Sequence, residues 1–264
     1  MKGIIDFHTH AFPDDLSERV IKMLEDEGGI KAHLDGKISS LLSSMDNCGI
    51  EKSVICNIAT KPSQFDSILQ WCNEVRSERI IPFPSFHPYD PGFKERIDEI
   101  KHAGFKGIKF HPYYQNFTID EERLFPVYEK ICDENLILVM HTGFDFAFQR
   151  IKIADPLKII TVLKNFPLLK MVTTHLGAWE EWEEVERFLL GQPIYMEISF
   201  SLEFLNETVR KIISHHPADY ILFGTDSPWT DQQKTLSLFR GLQLGEKKEG
   251  LILRENALKL LNSV

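Results

Sequence analysis

Eight short apolar runs recur along the chain with amphipathic stretches between them, and this alternation constrains the fold more than any other feature. The runs are Gly3–His8, Lys52–Ile58, Ile80–His87, Lys106–His111, Leu136–His141, Leu169–His175, Ile194–Ser199 and Tyr220–Thr225. Most are continuous, as in Leu136-Ile137-Leu138-Val139-Met140. Strands apolar on both faces are covered on both faces, the situation of a parallel sheet packed against helices.

The stretches between the runs carry helix boundaries. Ser39–Asn47 ends at Gly49, and Pro91–Ala103 ends at Gly104. Ser63–Glu78 opens on Ser63 with Asp66 three residues later, a capping-box variant. Asp120–Glu134 starts on a capping Asp, and Asp155-Pro156 puts a cap and a first-turn proline at the head of Pro156–Asn165. Trp179–Leu190, Leu202–His215, Asp231–Gly241 and Leu251–Leu261 complete the set. Eight strand–helix units in 264 residues predict an α/β fold, a single-domain (β/α)8 TIM barrel over residues 1–264. A doubly wound open sheet is the competitor. A long insertion, Ala11–Lys37, follows the first strand and carries its own helical piece, Leu16–Glu27. Loops of that length in compact domains are usually functional.

Bulk properties narrow the partners. The formal net charge of −9 argues against nucleic acid and anionic membrane, which both select basic surfaces. No apolar stretch approaches the roughly 20 residues that cross a bilayer. Met1-Lys2-Gly3 leads directly into the first run, leaving no room for a signal peptide. Cys48, Cys56, Cys72 and Cys132 form no C-x-x-C pair and read as structural thiols in a reducing compartment. The expectation is a cytoplasmic protein with a small-molecule substrate, its oligomeric state open to a homo-oligomer.

Potential ligands concentrate at the C-terminal ends of the runs, the end where barrel active sites form. The first run ends His8-Thr9-His10, whose two imidazoles leave an extended strand on one side. Later ends supply His87, Lys109 with His111, His141, His175 and Asp226. In a closed barrel the eighth strand lies beside the first. Asp226 then approaches His8 and His10, and His141 faces them across the mouth. Three imidazoles and a carboxylate suit one divalent metal, Zn²⁺ first, with Mn²⁺, Fe²⁺ or Co²⁺ also compatible. Trp229, with Phe12, Tyr113 and Phe144, can form an apolar substrate wall. His33 reads as a solvated loop residue, and His102, His215 and His216 as structural or exposed.

The wording Asp6-Phe7-His8-Thr9-His10, His141-Thr142-Gly143, Thr174-His175-Leu176-Gly177 and Gly224-Thr225-Asp226-Ser227-Pro228 resembles the amidohydrolase superfamily. It is most similar to its amidohydrolase-2 branch, which includes the aminocarboxymuconate semialdehyde decarboxylase-like proteins. The resemblance runs from Gly3 to the terminal helix. It implies a (β/α)8 barrel with one metal on His8, His10, His141 and Asp226, and a catalytic or substrate-polarising role for His175. Two-metal members of the superfamily carry a carbamylated lysine or a glutamate on the fourth strand. Here Lys109 and His111 stand there: Lys109 reads as a bridging ligand, a substrate-binding pocket cation or a barrel lysine paired with an acid, His111 as a pocket wall ahead of a metal ligand, and His87 as between pocket lining and structure.

The leading expectation is metal-dependent hydrolysis of an ester, lactone or amide. In it Asp226 moves the proton and His175 binds the carbonyl oxygen. The alternative is metal-dependent, non-oxidative decarboxylation of an aromatic or enoic acid. A TatD-like nuclease is disfavoured because Gly107–Pro112 has no glutamate and the chain is acidic. A catalytically silent metal-binding protein is the remaining reading.

Overall fold

The structure, a computed structural model, describes residues 3–264. Met1 and Lys2, on which the expected absence of a leader rests, lie outside the described residues. All eight expected strands form: β1 Ile4–Thr9, β2 Ile50–Cys56, β3 Ile80–Phe83, β4 Gly107–Phe110, β5 Ile137–Met140, β6 Lys170–Thr173, β7 Tyr195–Glu197 and β8 Ile221–Leu222. Neighbours pair in parallel in the orders β1-β2-β3 and β4-β5-β6-β7-β8. Two sets of backbone bonds join these arcs. Lys109 N donates to the Pro84 carbonyl at 3.1 Å, linking β4 to the end of β3. Phe7 N donates to Phe223 O at 2.8 Å, Asp226 N to His8 O at 2.7 Å, and His10 N to Ser227 O at 2.6 Å. The sheet is therefore a closed barrel, and the open-sheet competitor is excluded.

The continuous apolar runs follow from this closure. On β5, Ile137 and Val139 belong to a core inside the barrel, whereas Leu138 and Met140 belong to the larger core under the helices. Both sets are fully buried, as period-two side chains on a doubly covered strand must be. The same alternation on β4 sends Ile108 and Phe110 toward the helices, which leaves Lys109 on the interior register. The opposite end of the barrel is plugged by the C terminus. Leu260 and Leu261 join the interior core, and Lys106, Asn135 and Lys170, just before or at the starts of β4, β5 and β6, donate to the carbonyls of Leu261 and Ser263. That plug leaves the interior reachable from the strand C termini.

The helices match their expected segments with local differences. The helix after β5 is Pro156–Asn165, with the Asp155 carboxylate accepting from Leu157 N as a cap. Ser63 makes no such cap. Gln64 Oε1 accepts the Lys61 N–H instead, and one 3₁₀ turn, Pro62–Gln64, precedes the helix Phe65–Val75. The Asp120 segment likewise opens as a 3₁₀ turn at Glu122–Leu124, without an Asp cap. The segment between β1 and the helix Ile38–Cys48 carries the expected helix, over Asp14–Gly28. The terminal helical stretch begins at Glu246, earlier than expected, and passes through a π turn at Leu251–Glu255. Among the described residues no helix is long and apolar enough to cross a membrane.

Candidate active site

The strand ends turn sharply, and two of the turns place titratable side chains. His175 and Asp226 both lie in the left-handed region, at φ 56° and 63°. For residues other than glycine this costs of order 1 kcal/mol or more each and persists only where surrounding bonds enforce it. Here His175 N donates to Glu197 Oε1 at 2.9 Å, and Asp226 N donates to His8 O. The buried carboxylate of Asp6 braces the last turn as well. It accepts from Thr225 N at 3.0 Å, Thr225 Oγ1 at 2.6 Å and Gln232 Nε2 at 2.8 Å. Burial still pushes this carboxyl up to about 7.

The outer nitrogens of His8 and His10 fix what their inner nitrogens present. His8 Nδ1 lies 2.9 Å from Glu197 Oε1, and His10 Nδ1 lies 2.8 Å from the Cys56 carbonyl. A carboxylate and a carbonyl only accept, so both Nδ1 atoms carry the hydrogen, and in the neutral ring Nε2 is bare. The two Nε2 atoms sit 3.2 Å apart. Asp226 Oδ1 stands 3.0 Å from His10 Nε2 and 3.4 Å from His8 Nε2, buried and without a hydrogen-bond donor. Burial first, then the Lys109 ammonium, holds His8 well below its ordinary value, which keeps it neutral. With both rings neutral, three lone-pair atoms converge, His8 Nε2 also taking an N–H of Lys109 at 3.3 Å, a donor set that fits a divalent cation.

His141 stands in a neighbouring cluster. Its Nε2 faces the Phe144 carbonyl at 2.9 Å, and its Nδ1 lies 3.2 Å from His175 Nε2. The His141 ring stacks on His111 at 3.9 Å, with Asp145 Oδ2 3.4 Å from His111 Nε2 and 3.8 Å from His141 Nε2. Burial holds both rings well below the ordinary histidine range. His175 Nδ1 faces the Ser199 carbonyl at 3.2 Å, so in the neutral rings His175 Nε2 and His141 Nδ1 are both bare and continue the band across the mouth.

Above these groups lies a cavity of about 400 Å³. His8, His10, Lys109, His111, His141, His175 and Asp226 form its floor. Phe12, Leu16, Ile58, Ile68, Trp71, Phe144, Trp179 and Trp229 contribute to an apolar wall, part of which comes from the helix of the segment after β1. His87 does not line it; its Nδ1 accepts the Tyr89 N–H instead. Tyr113 is also outside the lining, and Tyr114 takes that position. Lys109 is fully buried, and its hydrogen-bond partner is His8 Nε2 at 3.3 Å. No carboxylate lies within ion-pair reach of it among the described residues, and burial lowers its pKa.

The sequence assigns no role to Asp6 or Asp145, nor to two other groups, both buried, Glu197 and Ser199. Glu197 closes β7, fully buried, and Ser199 follows it, its Oγ 2.7 Å from Glu197 Oε1 and 3.0 Å from His175 Nδ1. A signal existed: Glu197 is a charged residue inside the apolar run Ile194–Ser199, as Lys109 is inside its own.

With the geometry in hand, comparison places the chain. The family model Amidohydro_2, described as amidohydrolase, matches residues 5–262. No curated protein matches the chain. Among solved structures it is similar to an uncharacterised TIM-barrel protein from Bordetella bronchiseptica, at 21% identity over 99% of each chain with a TM-score of 0.81. A 5-carboxyvanillate decarboxylase from Novosphingobium aromaticivorans, complexed with manganese and 4-hydroxy-3-methoxy-5-nitrobenzoic acid, is 15% identical. The match covers 98% of this chain and 96% of that one, with a TM-score of 0.71. A protein provisionally named a 2-pyrone-4,6-dicarboxylic acid hydrolase from Pseudomonas putida is 13% identical over 100% and 98%, with a TM-score of 0.67. At these identities the likeness carries the fold, the TIM barrel read above.

Proposed function

The chain belongs to the amidohydrolase family, and from that premise we propose that it is a metal-dependent decarboxylase of a small aromatic or enoic carboxylic acid. The observation that carries this reading is Lys109: a buried ammonium without a carboxylate partner, beside the His8–His10–Asp226 trio, under an apolar wall. An unpaired buried cation is costly and is relieved by an anion that the site admits. The wall suits a flat apolar body and excludes water. The manganese-bound decarboxylase fold agrees with this reading by analogy.

His8, His10 and Asp226 would hold the cation, with His141 as the further ligand expected from the family resemblance. When bound, a divalent cation supplies Lewis acidity toward a substrate oxygen or water. Zn²⁺ and Mn²⁺ both suit nitrogen and oxygen donors, so the ligands alone do not select between them. Lys109 would pair with the substrate carboxylate and orient the molecule. Asp226, a carboxylate at rest, would first take a proton from water and then pass it to the substrate carbon as the bond to CO₂ breaks, the hydroxide left behind combining with the CO₂ released as bicarbonate. His175, with its Nδ1 held by Ser199, would direct Nε2 at the reacting group.

Hydrolysis of a lactone or ester is the second reading, favoured by the unpartnered Asp226 Oδ1, which is equally placed to receive a proton from water. A panel of hydroxybenzoates, enoic acids and matching lactones, assayed for both CO₂ release and ring opening with Mn²⁺ or Zn²⁺ added, separates the two. CO₂ release from an acid supports the proposal. Lactone opening without CO₂ release overturns it in favour of hydrolysis.

A further inference from the structure

We propose that Glu197 is the positioning residue of this site, fixing which nitrogen of His8 faces the cation. This rests on the reading of His8 as a ligand. Glu197 lies on β7, two strands from β1 around the barrel, yet its carboxylate reaches His8 Nδ1 at 2.9 Å. It gathers four donors in all. Oε1 takes His8 Nδ1–H, Ser199 Oγ–H at 2.7 Å and His175 N–H at 2.9 Å, while Oε2 takes Ser199 N–H at 2.8 Å. Every neighbour gives a hydrogen, so the carboxylate can only accept.

Two consequences follow. First, His8 must keep its hydrogen on Nδ1, which directs the Nε2 lone pair at Asp226 and His10. A carboxylate behind a ligating imidazole also makes that ring a better electron donor. Second, the Ser199 hydroxyl has its hydrogen on Glu197 and offers His175 Nδ1 only lone pairs. Glu197 therefore also bears, through Ser199, on the ring that faces His141.

The backbone is shaped around this carboxylate. A Cβ on Gly224 would fall 2.2 Å from Glu197 Oε2 and 3.1 Å from His8 Cβ. Glycine at 224 lets the end of β8 approach closely enough for the carboxylate to stay clamped between strands β1, β7 and β8. A carboxylate that served only to satisfy backbone donors would not need to reach a ring on β1.

The test uses the full chain in two variants, Glu197→Met and Glu197→Gln, with two readouts. Two-bond ¹H–¹⁵N spectra of ¹⁵N-histidine-labelled, metal-free protein at pH 8 report the tautomer of His8. Titration with Mn²⁺ and Zn²⁺ reports affinity. Wild type should show His8 as the Nδ1–H tautomer. E197M should lose that preference and bind metal about 100-fold more weakly, and E197Q, whose amide oxygen still accepts, about 10-fold more weakly. Loss of a remote charge would lower affinity without moving the tautomer. Folded E197M with an unchanged His8 tautomer overturns the proposal. Should E197M fail to fold, E197Q binding metal within twofold of wild type overturns it. Should wild type bind neither metal, the ligand reading fails, and the tautomer of E197M still decides the role of Glu197.

Discussion

The backbone N–H of Asp226 donates to the carbonyl of His8 at 2.7 Å. That one bond lies on the seam between the last strand and the first. It closes the barrel, and it sets the Asp226 carboxylate 3.4 Å from His8 Nε2 and 3.0 Å from His10 Nε2. Fold closure and site assembly are here the same event. Residues 218 positions apart in sequence meet because the barrel has no edge.

Asp226→Asn keeps the shape of that side chain but removes the group that carries a proton. We predict turnover reduced by roughly 10²–10⁴-fold, the range for general acid–base groups, with the fold retained. Steady-state rates beside metal content check this. Near-normal turnover with metal bound would contradict the assigned role.

Lys109→Met separates binding from stability. The substrate carboxylate loses a charge-assisted bond of about 1.5–3 kcal/mol, so KM should rise by roughly 10–150-fold. The protein, relieved of a buried ammonium without a carboxylate partner, should become more stable by about 1–3 kcal/mol. Kinetics and denaturant unfolding test the two halves. A fall in stability would show that the ammonium has a structural partner in the native protein.

Asp155→Ala removes the cap of Pro156–Asn165, where the carboxylate accepts from Leu157 N at 3.2 Å. The expected cost is about 1 kcal/mol, or roughly 2–4 °C in Tm for a chain of this size. Thermal unfolding measures it. An unchanged Tm would mean that packing alone holds the first turn.

Thiol chemistry follows from burial. All four cysteines are free, with Cys48, Cys56 and Cys72 buried and Cys132 half-buried. Burial pushes the Cys132 thiol up to about 11. A raised thiol pKa means less thiolate at a given pH, so at pH 8 alkylation of Cys132 should run roughly 200-fold slower than for a free thiol near 8.5. It should quicken about tenfold per pH unit up to that value. Rapid modification of the folded protein at pH 8, followed by mass spectrometry, would contradict this.

The fold was legible because each of its strands is a separate apolar run between helical stretches. The trio was legible for a related reason: His8, His10 and Asp226 sit at run ends that closure must bring together. What the sequence hid was tertiary. The facing of His141 toward His175 depends on side-chain rotamers. The tie between Glu197 and His8 spans 189 positions and needs the close approach at Gly224. His87 looked equivalent to the other strand-end histidines, yet β3 stops at Phe83, and the ring turns to the Tyr89 backbone instead of the cavity. The failed cap at Ser63 is a local contest, won by the Gln64 side chain bonding the Lys61 backbone.

We propose that His8, His10 and Asp226 together hold one divalent cation. Metal content per chain, measured after equilibration with Mn²⁺ or Zn²⁺ and removal of excess, tests it most directly. One equivalent is expected in the wild-type protein, with a loss of at least tenfold in affinity in His10→Ala. No bound metal in wild type, or full retention in His10→Ala, would contradict it.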